Sequence, residues 1–215
     1  MAKDSILKEI ADSVAKGESE EKVKELTRKA VKEGYSAKDI IDKGLLAGLQ
    51  VIGKKWTSGE AFIPEVLLSA KVMGAGMDIL HDAIVKSGIK PIGKVVIGTV
   101  KGDVHNIGKS LVAMLLGSAG FEVHDLGVDV APDKFVKAVK EKKPDLLGMS
   151  ALLTTTMPAM ANTVKALKKE GLKVTTIVGG APVTPEYAAS IGADGYAPDA
   201  ISAVAKAKEL LGIKK

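Results

Sequence analysis

The sequence predicts an α/β protein in two parts, a small helical bundle followed by a parallel sheet with helices on both faces. Three observations carry this expectation. Up to about residue 86 the apolar residues recur three and four apart, the spacing of one helix face. From Lys94 onward short apolar runs alternate with amphipathic stretches of helix length, the pattern of repeated βα units. Between the two, Ser87-Gly88-Ile89-Lys90-Pro91-Ile92-Gly93 is rich in breakers and reads as a linker. The expected division is a bundle over 1–88 and an α/β domain over 89–215.

The elements follow in order. Ile6, Leu7, Ile10 and Val14 mark a first helix over Asp4–Lys16, ended by Gly17. Val23, Leu26, Ala30 and Val31 mark a second, stopped by Gly34. Ser36 is placed as the N-cap of a third, with Asp39 in the capping-box position. That helix carries Ile40, Ile41, Leu45, Leu49 and Ile52 on one face. Gly44 and Gly48, four apart on it, suggest close approach of a neighbour. A loop, Lys54–Ile63, gathers Trp56, Phe62 and Ile63, which is much apolar surface for a connection. Pro64 suits the first turn of a fourth helix reaching about Lys86, whose Val66, Ala70, Met73, Met77, Leu80 and Ile84 form a bundle seam.

The second part reads as strand Lys94–Val100, helix Ser110–Ala119, strand Glu122–Leu126, helix Pro132–Lys142 and strand Asp145–Ser150. It continues as helix Met157–Glu170, strand Lys173–Val178, helix Thr184–Ser190, a short strand at Gly195–Tyr196 and helix Pro198–Leu211. Five such units predict a five-stranded parallel sheet of flavodoxin/Rossmann-like type, with strand order 2-1-3-4-5.

The chemistry is concentrated after the first strand, in Gly102-Asp103-Val104-His105-Asn106-Ile107-Gly108. In open α/β sheets, ligands bind at the carboxyl ends of strands. A His two residues after an Asp can present one ring nitrogen outward while a carboxylate holds the other and fixes the tautomer. By itself the motif equally describes a turn with a surface histidine. The loops after strands three and four face the same edge, however. One runs Ser150-Ala151-Leu152-Leu153-Thr154-Thr155-Thr156, and the other has Gly179-Gly180. Three such loops together make a ligand cleft the better account.

Composition narrows the classes. Of 215 residues, 46% are hydrophobic and 27% charged, as in ordinary globular proteins. The net charge of +5 comes from lysines interspersed with acids, and only 3% of residues are aromatic, which argues against a nucleic-acid partner. No apolar run approaches the ~20 residues of a membrane span, and the N-terminus lacks a signal-peptide core, so the expected location is the cytoplasm. Cysteine is absent, which excludes thiolate metal sites, iron–sulfur clusters and a cysteine nucleophile. A metal would be held by His, by carboxylates or by an organic ligand of its own.

Taken together, the Gly102–Gly108 motif, Ser150-x-Leu152 and Gly179-Gly180 resemble the cobalamin-binding signature of corrinoid proteins that bind their cofactor base-off and His-on. The bundle, with Trp56, Gly59 and Phe62-Ile63-Pro64-Glu65-Val66, looks like their N-terminal cap domain. The match spans nearly the whole chain. It is nearest to the small methyl carriers of anaerobic methyltransferase systems and is similar to the cobalamin module of methionine synthase.

The resemblance implies cobalamin (as methylcobalamin or cob(I)alamin) or a related corrinoid as cofactor. His105 would be the axial ligand of cobalt. Asp103 would hydrogen-bond the other imidazole nitrogen, and Thr156, standing where methionine synthase has a serine, would complete a proton relay. Gly102, Val104, Asn106, Ile107 and Gly108 would line the ligand loop. The displaced nucleotide tail would lie along Gly108, Ser150, Leu152, Thr154, Gly179 and Gly180, with Ala200 near its far end. Trp56 and Ile63 would cover the opposite face of the corrin. The implied partners are a substrate-specific corrinoid methyltransferase, a second methyltransferase delivering to tetrahydrofolate or a thiol, and a reductive activator. Two alternatives share the His loop. The binding subunit of an adenosylcobalamin mutase normally lacks this bundle. A cobalamin-based light sensor would carry Glu-His ten and eleven residues after the tryptophan, where this chain has Val66-Leu67.

Overall fold

The computed structural model describes residues 5–87 and 91–213. The chain divides into two compact units, Met1–Lys90 and Pro91–Lys215.

The first unit is helical, with α1 (Ser5–Ala15), α2 (Glu20–Lys32), α3 (Ala37–Asp39), α4 (Leu46–Thr57) and α5 (Ile63–Ser87). Its core gathers Ile10, Val14, Val23, Leu26, Ile40, Leu45, Met73 and Leu80, the apolar positions whose spacing predicts the helices. The side chain of Ser36 accepts the Asp39 N–H at 3.0 Å, as the capping position requires. Two details differ from the sequence-based expectation. The third helix is not one uniform α-helix: Ile40–Leu45 is π-helical and joins α3 to α4. The loop is also shorter. Trp56 belongs to the last turn of α4 and Ile63 opens α5, leaving only 58–62 between them. The Ser58 N–H bonds back to the carbonyls of Lys54 and Trp56, and Gly59 takes a φ of +78°, so the helix stops there rather than at Lys54.

The second unit is a five-stranded sheet of β1 (Lys94–Thr99), β2 (Glu122–Asp125), β3 (Leu146–Ser150), β4 (Thr175–Gly179) and β5 (Gly195–Ala197). Its strands are parallel in the order β2-β1-β3-β4-β5, as the sequence predicts. The connecting helices are α6 (Ile107–Ser118), α7 (Pro132–Lys142), α8 (Pro158–Lys169) and α9 (Pro185–Ile191), with α10 (Ala200–Leu210) closing the chain. Successive strand residues point to opposite faces. Val96, Leu147 and Val178 therefore pack with Phe135, Met160 and Val164 on one face. Val95, Leu146 and Ile177 pack with Leu116, Ala203 and Ala207 on the other.

Thr99, Ser150 and Gly179 stand in register at the carboxyl ends of β1, β3 and β4. The chain leaves β1 toward β2 on one side and leaves β3 toward β4 on the other. The crevice of a doubly wound sheet opens at such a switch point. One boundary matters for the site: α6 begins at Ile107, three residues before the expected Ser110, so Gly108 and Lys109 sit in its first turn.

Candidate cofactor-binding site

The loop after β1 turns back on itself, with Gly102 at φ +84° and the Asp103 N–H bonded to the Val100 carbonyl at 3.1 Å. This drives the Asp103 side chain inward, where it is fully buried. A buried carboxylate is unfavourable unless its oxygens are hydrogen-bonded, and here both are. Oδ1 accepts the His105 N–H at 3.0 Å and lies 2.7 Å from His105 Nδ1. Oδ2 accepts the N–H groups of Leu152 at 2.7 Å and Leu153 at 3.3 Å, and the Thr156 hydroxyl lies 2.9 Å away. One carboxylate thus ties the loop after β1 to the loop after β3 across the switch point.

Burial favours the neutral acid. The hydrogen bonds from Leu152, from the His105 backbone and ring, and from Thr156 outweigh it and hold the Asp103 carboxyl well below the usual carboxylate range. An ionised carboxylate only accepts, so Nδ1 of His105 carries a proton, and in the neutral ring that leaves the lone pair on Nε2. Nε2 has no hydrogen-bond partner among the described residues, and the His105 side chain is 47% exposed. The loop backbone is held as well, since the buried Thr99 hydroxyl donates to the His105 carbonyl at 2.9 Å. The Thr156 hydroxyl lies 2.8 Å from the Leu153 carbonyl too, so its single proton has two acceptors.

The rim of the histidine is apolar. Val104 and Ile107 are each 71% exposed and Leu152 and Leu153 each 43%. Large apolar side chains clustered in the open around one polar donor suit a flat, mostly apolar ligand. Among the described residues no three His, Cys, Asp or Glu side chains are grouped to hold a metal ion. The donor set is thus one imidazole, which suits a metal whose other positions are filled by its own macrocycle.

The remaining expected residues are placed unevenly. Gly108 faces open space, with no heavy atom within 4 Å of where a Cβ would stand. Gly179 and Gly180 are different. A Cβ on Gly179 would lie 2.8 Å from the Ala197 carbonyl oxygen, and one on Gly180 (φ +124°) 1.8 Å from that of Ala151. Their lack of side chains is needed first by the chain's own packing. Ser150 ends β3 half-buried, Thr154 and Asn106 are exposed, and Ala200 is the buried first residue of α10. Trp56 and Ile63 belong to the helical unit, where Trp56 is partly exposed, Ile63 is 51% exposed and the neighbouring Phe62 70%. Thr99 and Leu153 take part without having been singled out in sequence. Thr99 works through a hydroxyl inside a strand and Leu153 through its backbone N–H, so neither leaves a motif.

Two family models described as "B12 binding domain" match, one over residues 93–205 and the other over residues 6–81. Dimethylamine corrinoid protein 1 of Methanosarcina acetivorans is 45% identical over 214 residues, covering 98% of this chain and 100% of that protein. The trimethylamine corrinoid protein of Methanosarcina barkeri is 43% identical, covering 90% of this chain and 91% of its own. Among solved structures, the methanol:cobalamin methyltransferase complex MtaBC from Methanosarcina barkeri contains a chain that superimposes with a TM-score of 0.83. It is 32% identical, and the match covers 99% of this chain and 81% of that one.

Proposed function

The chain belongs to the family of B12-binding corrinoid proteins, and from that membership we propose that it carries a methyl group on cobalt between two methyltransferases. Its cofactor is cobalamin or a related corrinoid. When bound, the corrinoid supplies the hard chemistry, accepting a methyl group at cobalt and giving it up again. The observation that carries the proposal is the Asp103–His105 pair, 2.7 Å apart, with Nε2 left free on a half-exposed ring.

The protein's residues bind, orient and shield. His105 Nε2 would be the protein's ligand to cobalt, in place of the cofactor's own base. Asp103 fixes the ring and keeps the proton at Nδ1. Thr156 steadies that carboxylate and, by turning its hydroxyl toward the Leu153 carbonyl, releases one of its donors. This gives the imidazole a means of answering changes of charge at the metal. Val104, Ile107 and Leu152 would pack against the corrin, with Gly102 and Asn106 shaping the loop. Gly108, Ser150, Leu152, Thr154, Gly179, Gly180 and Ala200 would hold the nucleotide tail. Trp56 and Ile63 would be the residues of the helical unit that shield a bound corrinoid.

The methyl donor we propose is a methylamine, dimethylamine first, following the names of the relatives at 43–45% identity. A substrate-specific methyltransferase loads the carrier and a second methyltransferase unloads it to tetrahydrofolate or a thiol. With no cysteine to hold an electron-transfer cluster, a separate reductive activator restores oxidised cobalt. Among the described residues no helix is long and apolar enough to cross a membrane, and we place the protein in the cytoplasm.

The test is methyl loading of the reconstituted, reduced protein, followed by its visible spectrum. Loading is expected only when dimethylamine and a dimethylamine-specific corrinoid methyltransferase are both added. Turnover of donor to acceptor by this protein alone would contradict the carrier role. So would a requirement for adenosylcobalamin.

A further inference from the structure

Asp129 lies on the loop between β2 and α7 and is exposed. With Lys143 it is one of two non-glycine residues of positive φ among those described, at +52°. That conformation is unfavourable for any residue with a side chain, and least so for Asp and Asn. Such an outlier persists only where its surroundings impose it, and the surroundings here are the histidine loop. Asp129 Oδ1 accepts the Gly102 N–H at 2.7 Å. Its own N–H donates to the Asp103 carbonyl at 3.0 Å. The flanking residues are laced to the end of β1: Thr99 donates to Gly127 at 3.0 Å, and Val130 donates to Thr99 at 2.9 Å.

We infer that Asp129 is a positioning residue for corrinoid capture, a clamp that holds the His105 loop from the β2 side while Asp103 holds it from the β3 side. This rests on the assignment of His105 as the cobalt ligand. Gly102 is free to rotate by its nature, and the peptide it shares with Asp103 sets where that carboxylate enters the interior. Without the Asp129 carboxylate, the Gly102 N–H loses its partner and the loop samples other conformations. Only the fraction of molecules with the imidazole correctly presented then captures cofactor, and the apparent affinity falls by that fraction. Asp129 touches neither the ring nor its free nitrogen, so it acts through the loop alone.

The experiment uses the full-length, cofactor-free protein with Asp129→Ala, Asp129→Asn and Asp129→Gly. Three quantities are measured: hydrogen exchange at the Gly102 amide, the dissociation constant for hydroxocobalamin by visible absorption, and thermal unfolding. Losing a hydrogen bond to a charged group is expected to speed Gly102 exchange and weaken cobalamin binding by about tenfold each in the Ala variant. The Gly variant, which adopts the left-handed backbone freely but offers no acceptor, follows Ala. The Asn variant offers the same acceptor oxygen and stays within about threefold of wild type in both. The Asn and Gly variants unfold near the wild-type temperature, and Ala, strained by the left-handed backbone, a few degrees below it.

Wild-type cobalamin affinity in the Ala variant overturns the proposal, whatever its exchange rate. Loss in Asn equal to loss in Ala overturns it too, since charge rather than the hydrogen bond would then be at work. A His105→Ala control separates the two assignments. If that variant binds hydroxocobalamin as wild type does, the ligand assignment fails, while Gly102 exchange still reports on the clamp by itself.

Discussion

Asp103 is the residue on which the others depend. Replaced by Ala, it leaves the N–H groups of Leu152 and His105 without their acceptor, while the Thr156 hydroxyl keeps the Leu153 carbonyl. Each orphaned donor costs on the order of 1 kcal/mol, so Asp103→Ala is expected to lose about 2 kcal/mol in denaturant unfolding of the cofactor-free protein. A loss within experimental error would mean the carboxylate is not holding the two loops. The pH dependence has a definite sign. The folded-state pKa lies below the unfolded one, so the stabilisation is fully present at neutral pH and is lost as pH falls below about 4, toward the folded value. The stability gap between wild type and Asp103→Ala should therefore be level near neutrality and close in acid. Thr156→Val, which keeps shape and removes the hydroxyl, should cost about 1 kcal/mol, and Thr156→Ser should recover most of it. The Asp103–His105 pair was legible in sequence because side-chain chemistry at a strand end leaves a motif. The backbone donors of Leu152 and Leu153 were not, because a main-chain N–H is the same on every residue.

At the scale of elements, periodicity revealed the helices and strands but not how closely they approach. Gly44 and Gly48 on one helix face suggested a close neighbour, and the structure identifies it. A Cβ on Gly44 would lie 3.1 Å from Ile10 Cγ2, and one on Gly48 only 2.4 Å from the Ala11 carbonyl oxygen. Gly48→Ala is thus expected to destabilise the helical unit by about 1–3 kcal/mol despite alanine's better helix propensity. Gly74, in α5, has nothing within 4 Å of its Cβ position, so Gly74→Ala should stabilise by about 0.5–1 kcal/mol. Thermal unfolding of the two variants in opposite directions checks the packing, and shifts of the same sign would contradict it. The π-helical segment Ile40–Leu45 escaped the sequence because one widened turn leaves the run of apolar positions nearly unchanged. Trp56 was assigned to a loop because turn-forming residues follow it, although Lys54, Lys55 and Trp56 themselves continue the helix.

The whole molecule is two units, each with its own apolar core. Both sheet-face cores draw only on residues beyond Lys94, so a polypeptide of residues 91–215 is expected to fold cooperatively alone and to keep the Asp103–His105 arrangement. A fragment without a cooperative transition would show that the sheet needs the helices before it. The two-part organisation and the strand order were readable from a change of period near residue 90 and the count of βα units. The proposed chemistry at every scale depends on His105 as the ligand of cobalt. It is tested most directly by the EPR spectrum of the Co(II) form, reconstituted with cofactor labelled with nitrogen-15 in its own base, for wild type and His105→Ala. Splitting from unlabelled nitrogen in wild type, lost in the variant, is the result predicted. Splitting that follows the labelled base, or failure of the wild type to bind corrinoid, would contradict it.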